Sequence, residues 1–257
     1  MPDPARVATL AADPRFAALR RSLDVYYGDP AHEARMDALY GRFVRPGDLV
    51  FDIGAHVGDR IGSFRRLGAS VVALEPQPLC ADALARLYGD DPHVALLRAA
   101  CGARVESVTM RVNSANPTVT TASGAFVAAA DGAKGWEGQV WDAEIEAPCT
   151  TLDALIAAHG APTFAKIDVE GFEAEVLQGL SRPLVALSFE FTTIQRDVAF
   201  RCLERLTQLG PYRFDLAIGE SQRLAFGRWI AADEMAAHIG GLPHEANSGD
   251  VYCALAT

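Results

Sequence analysis

From residue 49 onward the chain alternates short apolar runs with segments of helical periodicity, and that alternation leaves few folds open. A strand buried on both faces reads as a short continuous apolar run, and joining two such strands in parallel requires a crossover helix. The pattern predicts strands over 49–53, 70–74, 94–98, 164–167 and 184–189, with helices over 60–67, 79–88 and 172–180. Strand-like pieces follow over 213–218, 223–226 and 251–255, with a helix near 233–239 between the last two. Ahead of the alternation, residues 5–43 repeat apolar side chains at helical spacing (Met36, Leu39, Tyr40, Phe43), and Pro46-Gly47-Asp48 ends them. The class implied is α/β: a doubly wound, mostly parallel sheet with an N-terminal helical extension.

The alternation breaks between Cys101 and Thr163, a stretch too long for an ordinary connection. It holds strand-like runs over 107–112 and 140–148, a small-residue stretch over 113–138 and a short helix over 152–159. An inserted β-hairpin beside the sheet is the simplest account. The stretch over 113–138 reads either as a solvated loop or as a lid over a substrate. A chain of 257 residues, half of them hydrophobic, suits one domain. Its parts would be a helical extension (1–47), a first half of the sheet (48–112), the insertion (113–148) and a second half (149–257).

Charge and cysteine usage narrow the classes of partner. With 23 basic and 33 acidic residues the net charge is −10, and no Lys/Arg run offers a polyanion a surface, which argues against nucleic acid. The opening Met1-Pro2-Asp3-Pro4 lacks a charged region followed by an apolar block, and no segment reaches the roughly 18 to 20 apolar residues of a span. A cytoplasmic protein without a membrane partner is therefore expected. The five cysteines are scattered without C-x-x-C spacing, so neither a disulfide framework nor a zinc site is expected.

The first strand runs into "VFDIGAHVG" (50–58), which places an acid, Asp52, just before two glycines. Ligands of open parallel sheets bind beyond the carboxyl ends of the strands, where strand order reverses, so Asp52 should face that crevice. A dinucleotide site would show G-x-G-x-x-G, and the central glycine is missing here. An acid at the turn also opposes a pyrophosphate and favours a cofactor with ammonium or sulfonium charge. S-adenosylmethionine carries both. The second strand ends in Glu75-Pro76, 23 residues after Asp52. A carboxylate there can accept both ribose hydroxyls of either an NAD or an S-adenosylmethionine site.

Three motifs, "FDIGAHVG", "ALEPQP" and "KIDVEGFE" (166–173), stand in the order and spacing of the FkbM-type methyltransferases, and the chain resembles that family over residues 48–190, with a closing "GDVYCAL" over 249–255. The first two motifs are widespread among class I methyltransferases, whereas the third is more specific. The resemblance implies an S-adenosylmethionine-dependent O-methyltransferase with a Rossmann-like, doubly wound, mostly parallel seven-stranded sheet, a single methyltransferase domain over 1–257, and a small-molecule or glycan acceptor. Carried over by position, it implies that Asp52, Gly54, Ala55, His56 and Gly58 surround the methionine part of the cofactor. Glu75 and Pro76 would flank the ribose, and Ala100 and Cys101 would border the adenine. His56 stands where the family usually has Asn.

Methyl transfer needs an aligned nucleophile and, for a hydroxyl, an acceptor for its proton. The candidate catalytic residues are Asp168 and Glu170, directly after the fourth strand, and Glu190 in "SFEFT" at the end of the fifth. Asp168 could also contact the cofactor, and Glu170 could instead cap the helix that follows. A divalent cation could sit among these acids, though nothing in the sequence supports a metal site. Lys166 either pairs with one of them or points to solvent. Trp136 and Trp141 either stack on an acceptor or pack the hairpin. Two other readings stay open: an NAD-dependent oxidoreductase, and a non-catalytic module that binds S-adenosylmethionine and works by interaction.

Overall fold

A computed structural model describes residues 3–256; Met1 and Pro2 of the opening discussed above lie outside the described residues. The N-terminal extension is built on one repeated signal. Asp3-Pro4, Asp13-Pro14 and Asp29-Pro30 each place a carboxylate at a helix cap and a proline in the first turn, where its missing N–H costs nothing. They open α1 (Pro4–Ala12), a 3-10 turn (Pro14–Leu19) that leads into α2 (Arg20–Tyr27), and α3 (Pro30–Tyr40).

The sheet follows: β1 (Leu49–Ile53), α4 (Asp59–Arg66), β2 (Ser70–Leu74), α5 (Pro78–Tyr88) and β3 (Val94–Leu97). A second, three-stranded sheet comprises β4 (Ala100–Cys101), β5 (Glu106–Val112) and β6 (Ala143–Thr150), with α6 (Gly124–Ala130) in the connection between β5 and β6. The chain then returns through α7 (Leu152–His159), β7 (Phe164–Ile167), α8 (Glu173–Gln178), β8 (Ala186–Thr192), α9 (Arg196–Leu209), β9 (Tyr212–Ile218), α10 (Ala232–Gly241) and β10 (Ser248–Leu255).

The main sheet has the order β3-β2-β1-β7-β8-β10-β9, parallel except for β10, which runs against both neighbours. Strand order reverses between β1 and β7, which opens a crevice at their carboxyl ends. Alternate strand residues serve opposite cores. Val50, Val71, Phe164 and Tyr252 pack under α1 to α5, while Phe51, Ile53, Ile167 and Phe189 pack under α7 to α10. The α/β, doubly wound sheet of seven strands, its helical extension and its inserted hairpin are thus all present.

Four details depart from the sequence reading. The piece at 223–226 is not a strand: Ala225 N donates to Leu216 O and Phe226 N to Asp215 Oδ1, which satisfies the outer edge of β9 singly rather than as a ladder. The second hairpin strand starts at Ala143, three residues late, because residues 131–142 are taken up by turns with Gly132, Gly135 and Gly138 at positive φ. The stretch over 113–138 is not a plain loop. It carries a 3-10 turn (Pro117–Val119) and α6, capped by Ser123, whose Oγ accepts from Phe126 N at 3.1 Å. Finally, β8 continues to Thr192, so Glu190 lies inside the strand rather than at its end, and α9 had gone unassigned.

Candidate active site

A cleft of about 410 Å³ opens over the carboxyl ends of β1, β2, β7 and β8. The turn after β1 is fixed by backbone. Gly54 N and Ala55 N donate to Leu74 O at 3.0 and 2.9 Å, and Gly54 lies at φ +86°. A Cβ on Gly54 would sit 1.8 Å from the carbonyl oxygen of Asp168, so only glycine lets the two strand ends approach this closely. His56 follows at φ +48° and donates its N–H to Glu75 Oε2 at 2.8 Å, while Gln77 N donates to Glu75 Oε1 at 2.8 Å. Two backbone donors thus hold the Glu75 carboxylate and leave each oxygen further accepting capacity. Burial pushes its pKa up to about 7.

Asp52 is 1% exposed and lines the cleft, yet its Oδ2 has no hydrogen-bond partner within the chain. Burial first, and the Asp59 carboxylate next, push its pKa up to about 7. A buried carboxyl oxygen without a donor is costly. The site therefore fits a ligand that brings a donor or a positive charge to that atom.

The loop after β7 explains the motif at 166–173. Lys166 Nζ, buried, stands 2.9 Å from Asp168 Oδ2 and 2.8 Å from Asp250 Oδ1. Glu173 Oε1 accepts from Val169 N and Gly171 N, so this carboxylate shapes the loop and stays off the cleft lining. Gly171 has no room for a Cβ, which would fall 2.8 Å from a ring carbon of Phe126. Glu170 adopts φ +55°, and its carbonyl accepts from Thr121 Oγ1 at 2.7 Å.

Asp168, Glu170 and Glu190 converge: one oxygen of each lies within 4.8 Å of the others. Burial would raise the Asp168 pKa, but the Lys166 ammonium, and Arg60 after it, hold it below the usual range. Glu170 and Glu190 are pushed well up by burial and by the Asp168 charge. Three close carboxyls without a neutral donor hold protons as readily as a cation, and the spacing by itself assigns no metal.

Of the sequence candidates, Asp52, Gly54, Ala55, His56, Glu75, Pro76, Ala100, Cys101, Asp168, Glu170 and Glu190 all line the cleft. Gly58 does not: at φ +83° it packs under Tyr88, whose hydroxyl donates to its carbonyl. The His56 ring contacts Thr118 Oγ1 at 3.3 Å and meets Tyr26 edge-on; burial lowers its pKa to about 4, which leaves it neutral near pH 7. Trp136 lines the cleft, donates to Asn247 Oδ1 at 3.1 Å and packs on Phe126, while Trp141 packs on Phe126 and donates to Val119 O.

Five charged lining residues, Arg21, Asp59, Arg60, Glu220 and Asp250, are not among the sequence candidates. Arg60 is buried, pairs with Asp59 and with both oxygens of Glu220 at 2.9 Å, and lies over the Tyr26 ring. Asp250 does carry a signal: like Asp52, it is an acid embedded in an apolar strand run.

The family model described as the methyltransferase FkbM domain matches residues 52–208, more than half of the chain. No curated protein sequence matches it. Among solved structures, a precorrin-6Y C5,15-methyltransferase from Geobacter metallireducens is 14% identical, with a TM-score of 0.44 over 88% of this chain and 87% of its own. A TehB-like SAM-dependent methyltransferase from Corynebacterium glutamicum is 11% identical, with a TM-score of 0.45 over 99% and 100%. A SAM-dependent O-methyltransferase from Thermotoga maritima is 11% identical, with a TM-score of 0.42 over 89% of this chain and 66% of its own. The family match joins the reversed strand order, the glycine turn and the acid-lined cleft in one conclusion: the chain belongs to the FkbM methyltransferase family, whose members use S-adenosylmethionine.

Proposed function

We propose that the enzyme methylates a hydroxyl of a small-molecule or glycan acceptor, with Asp168 as the base. The observation that carries this reading is the Asp168 carboxylate, paired with the Lys166 ammonium at 2.9 Å, in the same cleft as the unpartnered Asp52. Asp52, Gly54, Ala55 and His56 hold the methionine end of the cofactor, with the orphaned Asp52 Oδ2 accepting from its ammonium. Glu75 accepts from the ribose hydroxyls, beside Pro76, and Ala100 and Cys101 border the adenine. When bound, S-adenosylmethionine supplies a methyl carbon already activated by a sulfonium.

Asp168 accepts a hydrogen bond from the acceptor hydroxyl and thereby orients it. The C–O bond would form as the sulfonium's bond to the methyl breaks and S-adenosylhomocysteine leaves; the hydroxyl proton would then be strongly acidic and would pass to Asp168, so a carboxylate of low pKa is a sufficient base. Glu190, protonated, donates a hydrogen bond to Asp168 and keeps it aimed, and Glu170 bounds the acceptor side. Residues 113–138 form the lid: ties from Thr118 to His56, from Thr121 to Glu170 and from Trp136 to Asn247 support a strap across the cleft that excludes water.

Isothermal titration with S-adenosylmethionine and S-adenosylhomocysteine, beside NAD and NADP, tests the cofactor assignment. Binding of the sulfur nucleosides that weakens at least tenfold in both Asp52→Ala and Glu75→Ala is expected, and binding of the dinucleotides alone would sink it. A screen of hydroxyl-bearing acceptors with methyl-labelled cofactor tests the chemistry. Asp168→Asn should lower turnover by roughly 10²-fold or more while S-adenosylhomocysteine still binds.

A further inference from the structure

Beneath the strand-end acids lies a polar row of which the proposed chemistry uses only Asp52. Asp52, Lys166, Ser188 and Tyr252 are register partners on β1, β7, β8 and β10, so they project from the same face of the sheet. The face is otherwise apolar, built from Val50, Phe164 and Ala186 one step earlier on their strands. Two residues further along, Glu190 and Asp250 are register partners, and Asp168 continues β7 beside them. The Lys166 side chain runs from the lower row to the upper one, where its ammonium bridges Asp168 and Asp250.

Lysine is among the residues least often buried unless paired. Lys166 is 1% exposed, and both of its partners are carboxylates of unequal access: the Asp250 side chain is 9% exposed, whereas the Asp168 side chain retains 31%. One partner thus anchors the ammonium from within the sheet, and the other lines the cleft. We infer that Lys166, anchored by Asp250, is a positioning residue that keeps Asp168 as the ionised and aimed member of the Asp168–Glu170–Glu190 trio, an inference that rests on Asp168 being the base. A single fixed cation shared in this way lets three crowded carboxyls divide into one anion and two proton carriers.

The charge set around Asp168 comes from every side. Its own strand supplies Lys166, and α4 supplies Arg60 and Asp59. Glu170 and Glu173 face it from the loop and α8, Glu190 from β8 and Asp250 from β10. Asp52, His56 and Glu75 face it from the β1 and β2 ends, and Tyr26 from α2. Arg60 is already paired with Asp59 and Glu220, which leaves Lys166 as the cation in direct contact with Asp168.

The test is a carbon-13 NMR titration of carboxyl-labelled Asp and Glu in the full-length protein, with Asp168→Asn and Glu190→Gln assigning the two signals. Carboxyls as close as Asp168 and Glu190 release their protons in two steps that belong to the pair. Lys166→Met should move both steps to higher pH, with the proton affinity of the lower step rising more than tenfold, and Lys166→Arg should restore most of it. Asp250→Asn, which frees the ammonium for Asp168, should move the upper step to lower pH. Opposite displacements by two neighbouring variants are not produced by general loosening of the site.

An unmoved pair in Lys166→Met, or an upward displacement or none in Asp250→Asn, overturns the proposal. Should Lys166→Met fail to fold, Asp250→Asn and Lys166→Arg decide between the same outcomes. S-adenosylhomocysteine titration on the same samples separates the two readings. Nucleoside binding with unmoved carboxyls refutes the role of Lys166 alone, whereas a wild type that does not bind the nucleoside refutes the methyltransferase site itself.

Discussion

At the scale of the residue, the geometry of the cleft rests on positions where one side chain, or none, is tolerated. Gly54→Ala would combine a left-handed backbone with a Cβ 1.8 Å from a carbonyl oxygen. The conformation alone costs about 1–2 kcal/mol, and the clash adds to it, so chemical denaturation should show a loss above about 2 kcal/mol. Gly135→Ala, at φ +87° with nothing within 4 Å, should show only the conformational cost. Burial raises Asp52 and Glu75 from ordinary carboxyl values to about 7. The folded state therefore holds protons that the unfolded chain releases near pH 4, and stability falls as pH rises between roughly 4 and 7. Asp168, whose pKa is lowered, acts in the opposite sense but only below the unfolded value of 3.8. Thermal unfolding without cofactor should thus show a lower Tm at pH 8 than at pH 5.5, and Asp52→Asn should flatten the difference. The acids at 52, 75 and 168 were legible because an ionisable side chain at the end of an apolar strand needs a reason. Arg60 was not, since a charged residue in the first turn of a helix is ordinarily solvated.

At the scale of the element, strands and crossover helices followed from periodicity alone, because a strand buried on both faces and a helix buried on one leave different apolar spacings. The miss at α9 was avoidable: Val198, Cys202, Leu203 and Leu206 fall at helical spacing. The miss at 223–226 was not, because a short apolar piece next to an edge strand looks the same whether it pairs by a ladder or by isolated bonds. The inserted segment shows the limit most clearly. Its small residues carry weak intrinsic signals, and α6 is stabilised by packing Phe126 against Trp136, Trp141 and Gly171. If the segment is a lid, Trp136→Phe, which keeps the ring but removes the donor to Asn247, should speed S-adenosylhomocysteine dissociation several-fold in stopped-flow. The Tm should change little, because one exposed hydrogen bond contributes only about 0.5–1.5 kcal/mol.

At the scale of the whole molecule, two apolar cores on either side of one sheet leave the carboxyl ends of the strands as the place where charge is concentrated. Among the described residues no helix is long and apolar enough to cross a membrane. A ligand that binds only the folded chain stabilises it by about 2.7 kcal/mol at a hundredfold excess over Kd. For a chain of this size S-adenosylhomocysteine should therefore raise Tm by several degrees, measurable by differential scanning fluorimetry. The sequence by itself determined the fold class, the glycine turn and the family, because all three are written in local patterns: apolar spacing, residues that admit positive φ, and motifs of a few adjacent positions. Only the tertiary structure decided which acids share a site and which cation each one owns. Lys166, Asp168, Glu190 and Asp250 come together across three strands separated by up to 84 positions in the chain, and a carboxyl's charge state depends on the neighbours that folding supplies rather than on those beside it in sequence.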